Sequence, residues 1–137
     1  MTLEDDNKAV VRRYVEAFNT GNLQALKGLF AEDAEIQGVL GHGLVNKVEP
    51  IWRQLIEGYG LQLTNEDLVA EGDQVCARYT ETGTFKAPAF GNRPTGRSNT
   101  LVAMELFTFT IREGRISRRW GARDAASQAR QLGQPPF

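Results

Sequence analysis

The stretch Arg115-Ile116-Ser117-Arg118-Arg119-Trp120-Gly121-Ala122-Arg123-Asp124, with the run on to Gln131-Leu132-Gly133, decides how this chain is read. Glu113-Gly114 ahead of it is a turn signal, and Ile116, Arg118, Trp120 and Ala122 then alternate at period two, as on one face of a strand. Continuing the alternation sets Asp124 on that face at the strand's end, just beyond the Trp120 indole. A carboxyl group beside a large apolar ring at a strand terminus can be tuned for general acid/base work. The other reading is that Asp124 caps the short helix beginning at Ala125, and a capping Asp can also line a pocket.

Outward from this stretch, 137 residues suit one compact domain, residues 1–137, with a single core. Apolar content of 41% and charged content of 24% are those of a soluble globular protein. A net charge of -1 offers no electrostatic reason to expect nucleic acid or an anionic membrane as partner. The chain has neither a run of about eighteen apolar residues nor a signal-peptide pattern, so a cytoplasmic location is expected. Cys76 is the sole cysteine and His42 the sole histidine, which excludes an internal disulfide and a His/Cys metal cluster. A carboxylate magnesium site lacks a motif, and chemistry without cofactor or metal is the expectation.

The N-terminal part has helical periodicity. Asp5-Asp6-Asn7 offers caps for a first helix with Val10, Tyr14 and Phe18 on one face. Asn19-Thr20-Gly21 stops it, and Asn22 can cap a second helix carrying Leu23, Leu26, Leu29 and Phe30. Ala34 to Leu40 reads as a short strand and Gly41-His42-Gly43 as a loop. A third helix spans Val45 to Glu57, with Pro50 moving its expected start towards that residue. The pattern then changes to period two. Strands are expected over Leu61–Glu71, Gln74–Phe85 and Ser98–Ile111, with turns at Glu71-Gly72-Asp73 and Arg112-Glu113-Gly114 and a loop over Lys86–Arg97. Helices first and a meander afterwards predict an α+β domain: a curved, mostly antiparallel sheet wrapped by three N-terminal helices, with a pocket at one end.

Five pieces follow one another along the chain: Val10 to Asn22, the hairpin Glu71-Gly72-Asp73-Gln74-Val75-Cys76-Ala77-Arg78-Tyr79, Gly83-Thr84, the Pro94-Thr95-Gly96-Arg97 loop, and Gly114-Arg115-Ile116 with Trp120, Asp124 and Gln131-Leu132-Gly133. In this order they resemble the SnoaL-like polyketide cyclase family of the nuclear-transport-factor-2-like cone folds. The resemblance implies a cone-shaped homodimer that closes aldol rings in aromatic polyketide precursors without a metal or organic cofactor. It implies an acid/base aspartate at the position of Asp124. A carboxylate would take a proton α to an ester or ketone carbonyl, and the enolate would attack a second carbonyl of the same substrate. The chain departs from the family pattern at Phe85, where a histidine is usual, at Gly121, where an Asp often follows the Trp, and at Arg118, commonly acidic. Other acid/base or hydroxylase-like chemistry, isomerase or hydrolase activity, and plain small-molecule binding remain open on such a fold.

The candidate substrate-binding residues are Trp120, Arg118, Glu105, Tyr14, Trp52, Phe85 and Arg78. Arg118 is placed to bind an anion or to pair with Asp124 or Glu105. Glu105 lies in an apolar strand, in phase with Phe107 and Phe109, and is either pocket-lining or paired. Arg78 shares a face with Cys76, Thr80 and Thr82, while Val75, Ala77, Tyr79 and Glu81 share the other; alternation leaves open which faces the pocket. Trp52, Trp120 and Tyr14 suit core packing with an edge or hydroxyl reaching a ligand. His42 suits an exposed loop, and Cys76 an inert thiol.

Overall fold

A computed structural model describes residues 2–38, 41–110 and 113–133. Leu40, Ile111 and Arg112, at the ends of expected elements, lie outside the described residues. The first helix, α1 (Leu3–Asn19), starts earlier than the Asp5-Asp6-Asn7 signal suggested. Thr2 is its cap, and Thr2 and Asp5 form a reciprocal capping box. Helix α2 (Leu23–Gly28) is capped by Asn22, which accepts from the Ala25 N–H at 3.1 Å. Helix α3 (Val45–Glu57) includes Pro50. That proline has no N–H for the Asn46 carbonyl, but both residues are exposed, so water can satisfy the oxygen.

The strands are β1 (Phe30–Gln37), β2 (His42–Gly43), β3 (Gln62–Glu71), β4 (Gln74–Thr84), β5 (Ser98–Phe109) and β6 (Ile116–Arg123), and α4 (Ala125–Leu132) closes the chain. They form one open, curved six-stranded sheet in the order β2-β1-β6-β5-β4-β3. All neighbours are antiparallel except β1 and β6, which run parallel. His42 is exposed but belongs to β2, opposite Gln37, rather than to a loop.

One face of the sheet carries the core. Val75, Ala77, Tyr79, Leu101, Ala103, Phe107 and Phe109 point inward and meet Val10, Val11, Tyr14 and Phe18 of α1 and Val48, Trp52 and Leu55 of α3. Tyr14 and Phe107 pack edge to face with centroids 5.1 Å apart, and Phe30 lies 5.5 Å from Trp52.

The expected alternation of β6 is corrected by a bulge. Phe109 pairs with Ile116, but Thr108 pairs with Arg118, so Ser117 is an extra residue. One inserted residue reverses every side chain beyond it. Ile116 therefore faces the core, Arg118 and Trp120 face outward, and Arg119, Gly121 and Arg123 turn to the inner side.

Candidate active site

The inner face of the sheet, with α1 and α3 above it, encloses a cleft of about 600 Å³, its open mouth included. Phe18, Val48, Ile51, Trp52, Leu55, Leu61 and Leu63 make most of its wall apolar. Onto the sheet side of this wall β4, β5 and β6 bring Tyr79, Glu81, Glu105, Arg119 and Arg123, and α1 adds Tyr14. A mostly apolar cleft with a few convergent polar groups is the usual form of a small-molecule site.

Register explains the first polar group. Glu105 lies opposite Gly121 on β6 and Ala77 on β4, which makes Arg119 and Tyr79 its diagonal neighbours on the same face. Its Oε2 accepts from the Arg119 guanidinium and from the Tyr14 hydroxyl, the latter at 3.2 Å. Both side chains of the ion pair are 9% exposed. Among the described residues, no donor reaches the second oxygen, Oε1. Gly121 makes this arrangement possible: a Cβ there would fall 2.5 Å from Arg119 Nη1 and 3.4 Å from Glu105 Oε2.

The second group sits further along the same wall. Arg123 grips Glu81 with two N–H groups, the Nε one at 3.1 Å, and Gln128 of α4 donates to the same carboxylate at 3.4 Å. The planar fork of Arg suits such bidentate binding. Two carboxylates and two guanidinium groups cancel, so the wall is polar without net charge.

Burial and the neighbouring Glu105 charge hold the Tyr14 hydroxyl well above the ordinary tyrosine range. The same two causes, in the same order, raise Tyr79. Burial alone would lower the Arg119 pKa, but Glu105 and the two tyrosines outweigh it, and the pKa is raised. Arg119 thus stays charged while Tyr14 and Tyr79 stay neutral donors. Among the described residues, no three His, Cys, Asp or Glu side chains converge as a metal site would need.

A sequence profile of the SnoaL-like polyketide cyclases matches residues 8–132. The chain belongs to that family. Solved structures agree on the fold. AclR of Streptomyces galilaeus, a candidate hydroxylase, superimposes with TM-score 0.85 at 22% identity, over 97% of this chain and 99% of AclR. IdmH of Streptomyces antibioticus, a candidate polyketide cyclase, gives TM-score 0.79 at 27% identity, over 93% and 98%. A candidate SnoaL-like cyclase from Jannaschia gives 0.85 at 20% identity, over 99% and 97%. No curated protein matches the chain in sequence.

Against this SnoaL-like frame the expected site residues divide. Tyr14, Trp52 and Glu105 line the cleft. Trp120 lies on the outer face, 56% exposed, because of the bulge at Ser117. Arg118 is also outside, 3.8 Å from Glu35, and pairs with neither Asp124 nor Glu105. Arg78 faces outward onto Asp67 at 2.7 Å, because the opposite face of β4 carries the core. Phe85 is fully buried but packs on Tyr59, 5.0 Å away, outside the cleft. Asp124 is exposed and accepts from the Ser127 N–H at 2.8 Å, the cap geometry, and it is not among the cleft residues. Arg119 and Arg123 are not among the residues the sequence singles out, and Tyr79 and Glu81 lie on the face of β4 that alternation left open as a pocket face. A glutamate in phase with buried Val75, Ala77 and Tyr79 was the available signal for Glu81.

The tyrosines give a testable pH dependence. Their raised pKa values mean that the folded state keeps protons the unfolded chain loses near pH 10. The associated stability is complete below that pH and is lost as pH rises through the folded values. Phenolate absorbance should therefore show Tyr14 and Tyr79 ionising only together with alkaline unfolding. Ordinary titration of all tyrosines in the folded protein would contradict this environment for the hydroxyls.

Proposed function

We propose that this chain closes a ring by aldol addition on a neutral, polyketide-like substrate, with Glu105 as the proton-transfer group and no cofactor. The observation that carries the reading is the state of the Glu105 carboxylate in an apolar cleft. Arg119 and Tyr14 hold one oxygen, and among the described residues no hydrogen bond occupies the other. A carboxylate fixed by one oxygen can use the other as base without losing its orientation. Glu105 Oε1 takes the proton α to a ketone or ester carbonyl, and the C–H pair becomes an enolate. The enolate carbon attacks a second carbonyl of the same molecule, and the alkoxide that results recovers a proton from Glu105. The apolar walls hold the two carbons in reach, which is much of the work in an intramolecular reaction. The absence of net charge on the polar wall favours an ester or ketone over a free acid.

In this reading Asp124, the position that the resemblance assigns to acid/base work, secures the first turn of α4. That turn carries Gln128 onto Glu81. The cytoplasm is the proposed compartment; among the described residues no helix is long and apolar enough to cross a membrane. The test is deuterium uptake from solvent at the α carbon of an aromatic β-keto ester, followed by NMR. Enzyme-dependent uptake that Glu105→Gln abolishes supports the reading. A protein that binds the ester without exchanging its α proton is a binder, a reading favoured by the pairing of both cleft carboxylates with arginine.

We also propose a homodimer joined through the outer face of the sheet. Val69, Cys76, Leu106 and Trp120 are successive cross-strand partners from β3 to β6, and Met104 and Val102 continue the exposed apolar surface. Contiguous patches of this kind mark association surfaces. Light scattering should give a dimer mass at tens of micromolar, and Leu106→Glu should halve it. A monomer mass for the unaltered chain would end this proposal.

A further inference from the structure

Tyr79 is fully buried and lines the cleft, yet among the described residues its hydroxyl has no partner at hydrogen-bond geometry and is closed to solvent. It lies near enough to Glu105 for the carboxylate's charge and a weak hydrogen-bonding interaction to raise its pKa, but the two do not meet at ordinary hydrogen-bond geometry. Tyr14, the other hydroxyl on this wall, is committed to Glu105. An orphaned buried hydroxyl is costly, and folded proteins rarely keep one without use. Phenylalanine would fill the same core position without that cost.

We propose that Tyr79 is a substrate-binding residue whose hydroxyl donates to the oxygen of the carbonyl being enolised. The inference rests on the reading of Glu105 as base and adds the group that receives the developing charge. Tyr79 and Glu105 are diagonal neighbours on adjacent strands, so a carbonyl oxygen at Tyr79 brings its α carbon towards Glu105 Oε1. As the proton leaves for the carboxylate, the electron pair moves onto the oxygen. The Tyr79 O–H then bonds to an enolate rather than a ketone. A donor aimed where charge develops stabilises the transition state more than the ground state. Burial and the adjacent carboxylate keep that proton on Tyr79 at neutral pH, so it acts as a hydrogen-bond donor and not as a second base.

Tyr79→Phe tests this, since it removes only the oxygen. Two fluorescent probes serve in place of a substrate: 2-naphthol, whose hydroxyl oxygen stands in for an enol, and naphthalene, the same rings without it. Tyr79→Phe should weaken 2-naphthol binding about tenfold, the scale of one good hydrogen bond, and leave naphthalene binding unchanged. Its melting temperature should stay level or rise, because an unpartnered buried hydroxyl has gone. A merely structural tyrosine would lower the melting temperature and affect both probes alike. Equal 2-naphthol affinity in the two proteins overturns the proposal, as does failure of either probe to bind the unaltered protein. The binding measurement needs no turnover. Loss of the Glu105 reading therefore shows as α-proton exchange persisting in Glu105→Gln, and loss of the Tyr79 reading as unchanged probe selectivity.

Discussion

Glu105→Gln is expected to lower turnover by roughly 10²–10⁴-fold, the scale of removing a general base. The amide keeps the size of the side chain and can still accept from Tyr14. It also leaves Arg119, buried beside it, without its counter-charge, and folding suffers for that reason. Turnover must therefore be normalised to the folded fraction. Glu105→Asp supplies the control that retains the charge. It keeps the ion pair with Arg119 but withdraws the carboxylate by one methylene, and a displacement near 1 Å costs about 10² in rate. Asp124→Asn should leave turnover within about twofold, because Asn caps a helix nearly as well as Asp. If Asp124→Asn shows the large loss and both Glu105 variants turn over normally, the proton transfer belongs to Asp124.

The sheet and its wrapping helices were legible because they depend on patterns that survive local irregularity. Val10, Tyr14 and Phe18 share a helical face whether the cap is Thr2 or Asp5, and the switch to period two after Gly60 marks where the sheet begins. Tyr14, Trp52 and Glu105 were found at the cleft for the same reason: each sits in an apolar pattern that ends up buried. What was lost was lost at Ser117. A bulge is set by how two strands meet, and nothing in Ser117-Arg118-Arg119 records which arginine turns inward. Read without the bulge, Arg118 and Trp120 fall on the face that Arg119 and Gly121 present to the cleft. Arg78 depended on which face of β4 the helices cover, a tertiary choice that alternation alone does not make, whereas Phe85 is buried but lies past the end of β4, packed on Tyr59 away from the cleft. Glu81 shows the same limit, since its role depends on Arg123 and Gln128, distant in sequence.

Arg123→Met is expected to destabilise the fold by about 3–5 kcal/mol, the usual cost of stripping one partner from a buried ion pair. Exposure decides this magnitude, for the Glu81 side chain is 2% exposed and that of Arg123 13%. A surface pair would be worth no more than about 1 kcal/mol. Without Arg123 the buried carboxylate keeps, among the described residues, the Gln128 amide at 3.4 Å, which does not replace a full charge. The double variant Glu81→Leu/Arg123→Met should recover most of the lost stability, because an apolar pair of similar volume needs no counter-charge. Urea unfolding of the single and double variants measures both effects. A single variant that costs under about 1 kcal/mol would mean that water reaches Glu81, and that this end of the cleft is open.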